Sequence, residues 1–270
     1  EAEQITTFFG VPTMYQFLLR HPTFRQRDLS SWRIGMFGAA PMPGSTVEAL
    51  LDAIPGVELI QFCGQTEAGP NGIYATAEEV RARPDASGRR ALPFMEVKIV
   101  DANGEPVEPG GTGEMLLRGE TIMKGYWNKP VETETTLRDG WLHTGDIASI
   151  DADGYITLVD RLKDMIITGG RNVYSIEVEN ALAAHPDILD CAVIGRPHPD
   201  FGESIVAVIT PREGAAPSLA DIREFCGSRI SSYKVPHAVV LGAVPRNASG
   251  KILKKQLRDE LAGAESAGAA

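Results

Sequence analysis

Short apolar runs alternate with amphipathic segments over the first part of the chain. Apolar runs at 5–9, 34–37 and 57–62 have the length of buried strands, and the segments at 14–20 and 45–53 have a helical pattern. Strands separated by helices predict parallel α/β layers.

The pattern changes near residue 93, where strands are joined by tight turns. Asn103-Gly104 follows the run VKIVDA, and Asp153-Gly154 lies between DIASID and YITLVD. Asn or Asp followed by Gly tolerates the positive φ of a hairpin turn. We therefore predict an antiparallel barrel over 93–160, and we expect residues 1–160 to be the C-terminal part of a large α/β domain.

A third pattern begins at residue 161 and predicts a small α+β domain over 161–262. Helices are expected after Ser175, from Ser218 and from Ile252, with strands at 189–194, 204–210 and 238–241. Ser218 and Asp221 have the spacing of a capping box. The tail 263–270 (GAESAGAA) has no apolar residue larger than Ala and is expected to be disordered.

The amino-acid composition indicates which binding partners and which cellular compartment to expect. The 270 residues include 26 Lys+Arg and 36 Asp+Glu, a net charge of −10, which argues against a nucleic acid or an anionic membrane as the main partner. No apolar stretch approaches the ~20 residues that span a bilayer, and no signal peptide is recognised. Cys63, Cys191 and Cys226 are too far apart for a zinc site or a disulfide framework. These features predict a cytoplasmic protein, and the start at Glu1 inside an apolar stretch predicts the C-terminal part of a longer chain.

Four polar clusters are candidates for chemistry, and each alone also has a structural interpretation. CGQTEAG (63–69) follows an apolar strand, at the sheet edge where ligands bind, but it is also typical of an ordinary turn. HTGD (143–146) contains an Asp after Gly, which is usually a turn residue. DRLKDMIITGGRNV (160–173) is equally consistent with a linker and a hairpin.

The fourth cluster, PRNASGKILKKQLRD (245–259), places Lys251 in a Ser-Gly-Lys turn before an amphipathic helix. It is not a Walker loop, because Pro245 stands where the first Gly would be. We interpret Lys254, Lys255 and Arg258 as the solvated face of this helix.

Taken together and in this order, the clusters resemble the adenylate-forming superfamily of acyl-CoA synthetases, beetle luciferases and peptide-synthetase adenylation domains. The resemblance covers nearly the whole chain through these motifs: GAAPMP (38–43), QFCGQTE (61–67), GEMLLRGETIMKGYWN (113–128), GWLHTGD (140–146), DRLKDMIITGGRNV (160–173) and PRNASGK (245–251). It implies a two-step reaction in which a carboxylate and MgATP give an acyl adenylate and pyrophosphate. A thiol then attacks, releasing AMP and leaving a thioester.

The resemblance also implies residue roles. Thr66 is expected to bind the α-phosphate and Glu67 the magnesium ion, while Asp146 and Arg161 contact the ribose. Lys251 is expected to bridge the carboxylate and the α-phosphate, where a cation offsets the repulsion between two anions. The remaining implied positions are the adenine site (Gly38, Ala39, Ala40, Pro41, Gln61, Cys63, Gly64), the hinge (Lys163) and the turn beside the pantetheine (Gly170).

Three departures from the family pattern qualify these expectations. Cys63 occupies the position of an aromatic residue that stacks on adenine, and Ser175 stands where Pro is common. The family's Ser/Thr/Gly-rich phosphate loop has no copy in the sequence. We therefore expect the 270-residue chain alone not to turn over.

The sequence thus predicts part of an acyl-CoA synthetase with a mobile C-terminal domain, using ATP, Mg²⁺ and CoA on a small carboxylic acid, with a fatty acid favoured. Two alternatives stay open. The acyl group could be loaded onto a carrier-protein pantetheine, or the chain could be a non-catalytic nucleotide-binding piece.

Overall fold

The computed structural model describes residues 1–40, 42–247 and 250–268, with side chains described as far as residue 262. The chain divides into two compact units, Glu1–Leu158 and Val159–Ala270. The boundary predicted from the sequence, after residue 160, falls in the same strand, β10 (Ile156–Arg161).

The first sheet is built from the N-terminal part of the chain. Its elements are β1 (Thr7–Gly10), α1 (Pro12–Arg20), β2 (Ile34–Phe37), α2 (Gly44–Ala53), β3 (Glu58–Gly64), β4 (Gly72–Ala75), α3 (Ala77–Ala82) and β5 (Arg90–Ala91). The strands follow the order β1-β2-β3-β4-β5. β1, β2 and β3 are parallel, which confirms the predicted α/β layers, whereas β4 and β5 continue antiparallel.

The helices of this region begin where the sequence supplies the right residue. Pro12 occupies the first turn of α1, where its fixed φ suits a helix. Thr76 and Glu79 form a capping box at the start of α3. Tyr15 of α1 is fully buried in the apolar cluster beneath the sheet, and its Oη donates to the Met36 carbonyl at 2.8 Å.

The second sheet is the antiparallel subdomain predicted over 93–160. It contains β6 (Met95–Val100), β7 (Thr112–Gly119), β8 (Leu137–Arg138), β9 (Trp141–Ile150) and β10, with α4 (Pro130–Thr136) before β8. The strand order is β10-β9-β7-β6, with β8 paired to β9, and the sheet curls into a half-barrel. Gly104 and Gly154 have φ of +83° and +82°, which confirms both predicted turns.

The third sheet forms the centre of the second unit. Its elements are β11 (Ile166–Thr168), β12 (Arg171–Val173), α5 (Ser175–Ala183), β13 (Ile188–His198), β14 (Gly202–Pro211), α6 (Leu219–Gly227), β15 (Ala238–Leu241) and α7 (Lys254–Gly268). The strand order is β12-β11-β14-β13, and β15 pairs parallel to β14. This is the predicted α+β architecture, and the capping box of Ser218 and Asp221 is confirmed.

Alternate positions along β13 and β14 pack on opposite faces of the third sheet. Val193 and Ile205 join α5 and α6 in one apolar cluster. Ile194 and Val206 join Leu257 of α7 in another. The sheet is therefore covered by helices on both sides, which explains the continuous apolar runs at 191–194 of β13 and 205–209 of β14.

The last helix differs from the sequence prediction in two respects. Its backbone is helical through Gly268, where a disordered tail was expected from 263, because Ala is the strongest helix former; residues 269–270 lie outside the described residues. The interpretation of its basic residues as a solvated face is wrong for Lys254 and Arg258. They pair with Glu179 at 2.7 Å and Asp164 at 2.8 Å, whereas Lys255 is exposed.

Within the described ranges, no helix combines the length and the apolar character needed to cross a bilayer.

Candidate active site

The carboxyl ends of β2 and β3 lie side by side, with Phe37 paired to Gln61. Gly38 follows β2, and a Cβ there would lie 2.3 Å from the Phe62 carbonyl oxygen, so this close approach requires glycine. Ala39 has a φ of +66°, and both it and Ala40 are exposed, while Pro41 lies outside the described residues. The predicted adenine-site residues of these strands therefore share one edge of the first sheet.

Thr66 and Glu67 lie immediately beyond this edge. The segment Thr66–Ala68 forms a single 3₁₀ turn that ends at Gly69, whose φ is +73°. A Cβ at Gly64 would lie 2.4 Å from the carbonyl oxygens of Pro70 and Asn71, so glycine lets the chain fold back here. The turn leaves Thr66 exposed and Glu67 partly buried.

Tyr126 holds the Glu67 side chain. Its Oη donates to Glu67 Oε1 at 2.8 Å, and the Met123 N–H donates to the Glu67 carbonyl, also at 2.8 Å. Burial and the Glu67 carboxylate both raise the pKa of Tyr126. The phenol is thus a neutral donor that fixes one carboxylate oxygen.

Asp146 lies on a bulge between β7 and β9. The register steps from Glu114 opposite Ile147 to Leu116 opposite His143, so three residues of β9 face Met115 alone. Thr144 Oγ1 donates to the Met115 carbonyl at 2.5 Å and accepts from the Asp146 N–H at 3.0 Å. The motif HTGD is therefore a strand bulge, and the Asp146 side chain it carries is buried.

Glu114 holds this bulge from the neighbouring strand. Its Oε1 accepts from the Gly145 N–H at 3.0 Å, and its Oε2 lies 2.8 Å from His143 Nδ1. Arg138 Nη2 lies 2.7 Å from the same His143 nitrogen. Gly145 has a φ of +67°, which explains the glycine of the motif.

Cys63, near the end of β3, packs against residues of the antiparallel sheet. Its partly buried side chain packs against an apolar cluster that includes Met115 and Ala148, the neighbours of the bulge on both strands. The antiparallel sheet that carries the Asp146 bulge therefore packs against β3, the strand that contains Gln61 and Gly64 and leads into the turn of Thr66 and Glu67. The ring of Phe62, the residue before Cys63, is stacked on Tyr74.

The other predicted residues belong to the second unit. Arg161 ends β10, and Lys163 lies exposed in the turn that follows. Gly169 and Gly170 form the tight turn between β11 and β12, with φ of +55° and +73°.

Lys251 lies in a hairpin turn that precedes α7. Arg246 pairs with Ile252 across the turn, and the Lys251 N–H donates to Asn247 Oδ1 at 2.9 Å. Arg246 also donates to the Gly250 carbonyl at 2.6 Å and to Asp190 of β13 at 2.8 and 3.1 Å. Lys251 is exposed. Ala248 and Ser249, in the same motif, lie outside the described residues.

Comparison with known proteins places the chain in a family. The model for "AMP-binding enzyme" matches residues 1–127, and the model for "AMP-binding enzyme C-terminal domain" matches residues 177–251. The chain belongs to the AMP-binding enzyme family. The predicted superfamily and fold class are thereby confirmed.

Individual relatives of this AMP-binding chain differ in their named substrates. It is 43% identical over 259 residues to feruloyl-CoA synthase of Amycolatopsis sp, covering 96% of this chain and 52% of the relative. It is 36% identical over 265 residues to a fatty acid–[acyl-carrier-protein] ligase of Streptomyces coeruleorubidus, covering 96% and 50%. The amide bond synthetase of Marinactinospora thermotolerans superposes with a TM-score of 0.87 at 36% identity, covering 97% of this chain and 53% of that one. The chain spans about half the length of the curated relatives it matches.

Proposed function

We propose that this chain is part of an AMP-forming acid–thiol ligase that activates a small carboxylic acid with ATP and transfers the acyl group to CoA. The observation that supports it most is that the Gly38 loop and the Thr66–Glu67 turn share one end of the first sheet, while the sheet that carries the Asp146 bulge packs against Cys63 of β3. In a chain of the AMP-binding family, that edge supplies donors and acceptors for a nucleotide.

Each of these groups has a chemical role in the proposal. Asp146 can accept from both ribose hydroxyls, because a carboxylate has two acceptor oxygens. The Gln61 amide recognises the exocyclic amine of adenine, and the Thr66 hydroxyl contacts the α-phosphate. Lys251 supplies the cation that offsets the charge built up when a carboxylate attacks this phosphate.

The residues present also fit a magnesium nucleotide. Magnesium is usually held by one or two carboxylates together with substrate phosphates, and Glu67 offers a carboxylate oriented by Tyr126. Within the described part of the chain, the buried Gln65 Nε2 is a donor without a hydrogen-bond partner, directly before Thr66. A bound magnesium ion would supply positive charge for the phosphates.

The proposal also specifies which carboxylic acid is activated and which thiol accepts the acyl group. We propose a fatty acid and free CoA, as the sequence favours. The relatives' names include a feruloyl-CoA synthase, a fatty acid–carrier-protein ligase and an amide bond synthetase, so each acid and each acceptor is a distinguishable outcome.

The test is pyrophosphate release by the full-length protein with a panel of fatty and aromatic acids. Each acid is combined with CoA, a carrier-protein pantetheine or an amine as acceptor. Release that depends on a fatty acid and yields an acyl-CoA supports the proposal. Absence of acid-dependent release with every acid would favour a non-catalytic nucleotide-binding role.

Asp146→Asn tests the nucleotide site directly. Loss of a hydrogen bond to a charged group costs roughly 1.5–3 kcal/mol, so the Kd for ATP should rise on the order of 10- to 100-fold. Asp153→Asn, in an exposed turn of the same sheet, is the control. Unchanged ATP affinity in Asp146→Asn would contradict the ribose assignment.

A further inference from the structure

A network of charged and polar side chains lies buried where α7 meets α5. Lys254 Nζ contacts Glu179 Oε1 at 2.7 Å and donates to Ser175 Oγ at 2.5 Å. The Lys254 and Glu179 side chains are only 10% and 13% exposed. One ammonium group is therefore shielded from water and shared between two residues of α5.

Ser175 extends this network to the end of β10. Its Oγ lies 2.8 and 3.0 Å from the two carboxylate oxygens of Asp160, and its N–H also donates to Asp160. A proline at this position would lack that N–H and the hydroxyl, so both contacts with Asp160 depend on the serine. Burial raises the pKa of both Asp160 and Glu179, and the Lys254 charge opposes the rise in each.

A second contact connects α7 to the same segment. Arg258 lies one turn after Lys254 on α7, and its Nη2 donates to Asp164 Oδ1 at 2.8 Å. Asp160 and Asp164 lie on either side of Lys163 in the chain. We call residues 160–164 the hinge segment. Arg258 holds it directly at Asp164, and Lys254 is connected to Asp160 through Ser175.

The turn that carries Lys251 leads directly into the start of α7, at Lys254. The Leu253 N–H donates to the Pro245 carbonyl at 2.9 Å, which closes the hairpin just before the helix begins. Arg246 anchors the hairpin to Asp190 on β13. The backbone between Lys251 and Lys254 is therefore short and constrained.

We propose that Lys254 and Arg258 are positioning residues that fix Lys251 relative to the hinge segment. This inference rests on the proposed function, since Lys251 must have a reacting group to act on. Buried ion pairs are often no more stabilising than apolar side chains of similar size, and in some proteins buried polar groups instead specify the conformation. The apolar face of α7 already packs on the third sheet through Leu257. The contacts of Lys254 and Arg258 therefore determine the position of the start of α7 relative to the hinge segment.

The test compares two half-reactions in the full-length protein carrying Lys254→Met or Arg258→Met. Lys255→Met is the matched control, because Lys255 is the exposed neighbour on the same helix. Acid-dependent ATP–pyrophosphate exchange should fall about 10- to 100-fold in kcat, since a misplacement of ~1 Å can cost that much, with the KM for ATP unchanged. Thioester formation from supplied acyl adenylate and CoA should be retained. Lys254→Arg and Arg258→Lys should recover much of the exchange activity.

Each result decides the proposal. If Lys254→Met and Arg258→Met behave like Lys255→Met, or lose both half-reactions equally, the positioning role is wrong. Arg258 is 31% exposed, so its replacement provides a variant that keeps the network of Lys254 if Lys254→Met fails to fold. If the unsubstituted protein shows no exchange with any acid, the proposed function itself fails, and this inference with it.

Discussion

Tyr126 is separated from Glu67 by 59 residues in sequence, yet its phenol donates to the carboxylate at 2.8 Å. The motif comparison singled out Glu67 because it lies in a short string with a recognisable pattern. It missed Tyr126, although GEMLLRGETIMKGYWN contains it, because local spacing does not show which side chains from distant segments come into contact. The one indication in the sequence was that the segment of Glu67 and the segment of Tyr126 both belong to motifs that resemble the adenylate-forming superfamily.

Replacing Tyr126 tests the importance of this contact. Tyr126→Phe keeps the ring and removes the donor, so Glu67 loses its fixed orientation. A hydrogen bond to a charged group is worth roughly 1.5–3 kcal/mol, so the Mg²⁺ concentration for half-maximal exchange activity should rise about tenfold or more. The measurement is a Mg²⁺ titration at fixed ATP. Tyr155→Phe is the control, because it also removes a phenol hydroxyl but keeps the ring on which the Arg83 and Arg89 guanidinium groups lie. Equal Mg²⁺ dependence in both variants would show that Tyr126 does not orient Glu67.

The elements that the sequence predicted best are those that depend on residues close together in the chain. The capping box of Ser218 and Asp221, the Asn-Gly and Asp-Gly turns and the parallel strands β1 to β3 depend on neighbouring residues or on simple alternation. The bulge at Asp146 could not be predicted, because it exists only through the register of β9 against β7. The position of Lys254 was also missed, since its partners are supplied by α5.

The Ser218 cap provides a stability test at this scale. Ser218→Ala removes the acceptor for the Asp221 N–H at the start of α6 and should destabilise the second unit by about 0.5–2 kcal/mol. Thermal or urea unfolding of the full-length protein measures this loss. Ser231→Ala is matched, because Ser231 precedes a 3₁₀ turn without a side-chain cap. Equal stability of the two variants would contradict a stabilising role for the cap.

The contacts of Glu114 with the Asp146 bulge provide a functional test. Glu114→Ala removes the acceptor for the Gly145 N–H and the partner of His143, so the strand next to Asp146 loses its restraint. The Kd for ATP should rise about tenfold, whereas Glu114→Gln keeps one carbonyl acceptor and should show a smaller rise. Calorimetric titration with ATP makes the comparison. Glu96→Gln is the control, because it alters an exposed ion pair with Arg118 on the neighbouring strand. If Glu114→Ala binds ATP as tightly as this control, the position of Asp146 does not depend on Glu114.

At the scale of the whole molecule, the candidate residues are divided between two units. Glu67 and Asp146 belong to the first, and Lys251 and Gly170 to the second. Within the second unit, Gly170 lies in the turn between β11 and β12, whereas Lys251 lies in the hairpin before α7. The proposed reaction needs Lys251 at the phosphate in its first step and the glycine turn beside the pantetheine in its second. One fixed arrangement would have to satisfy both, so we expect the second unit to rotate about Lys163 between the steps.

Two variants of the full-length protein separate the steps of this cycle. Lys251→Ala should lower adenylate formation on the order of 10²–10³-fold, by analogy with loss of a donor to a developing oxyanion, and should spare thioester formation from supplied acyl adenylate. Lys163→Pro should do the reverse, because fixing φ within the hinge segment hinders the rotation that precedes thiol attack. Lys163→Ala removes the same side chain without restricting the backbone, so it should retain both half-reactions. ATP–pyrophosphate exchange and single-turnover thioester formation measure the two steps independently. Equal losses in both steps for Lys251→Ala and Lys163→Pro would indicate general misfolding and would contradict rotation about Lys163.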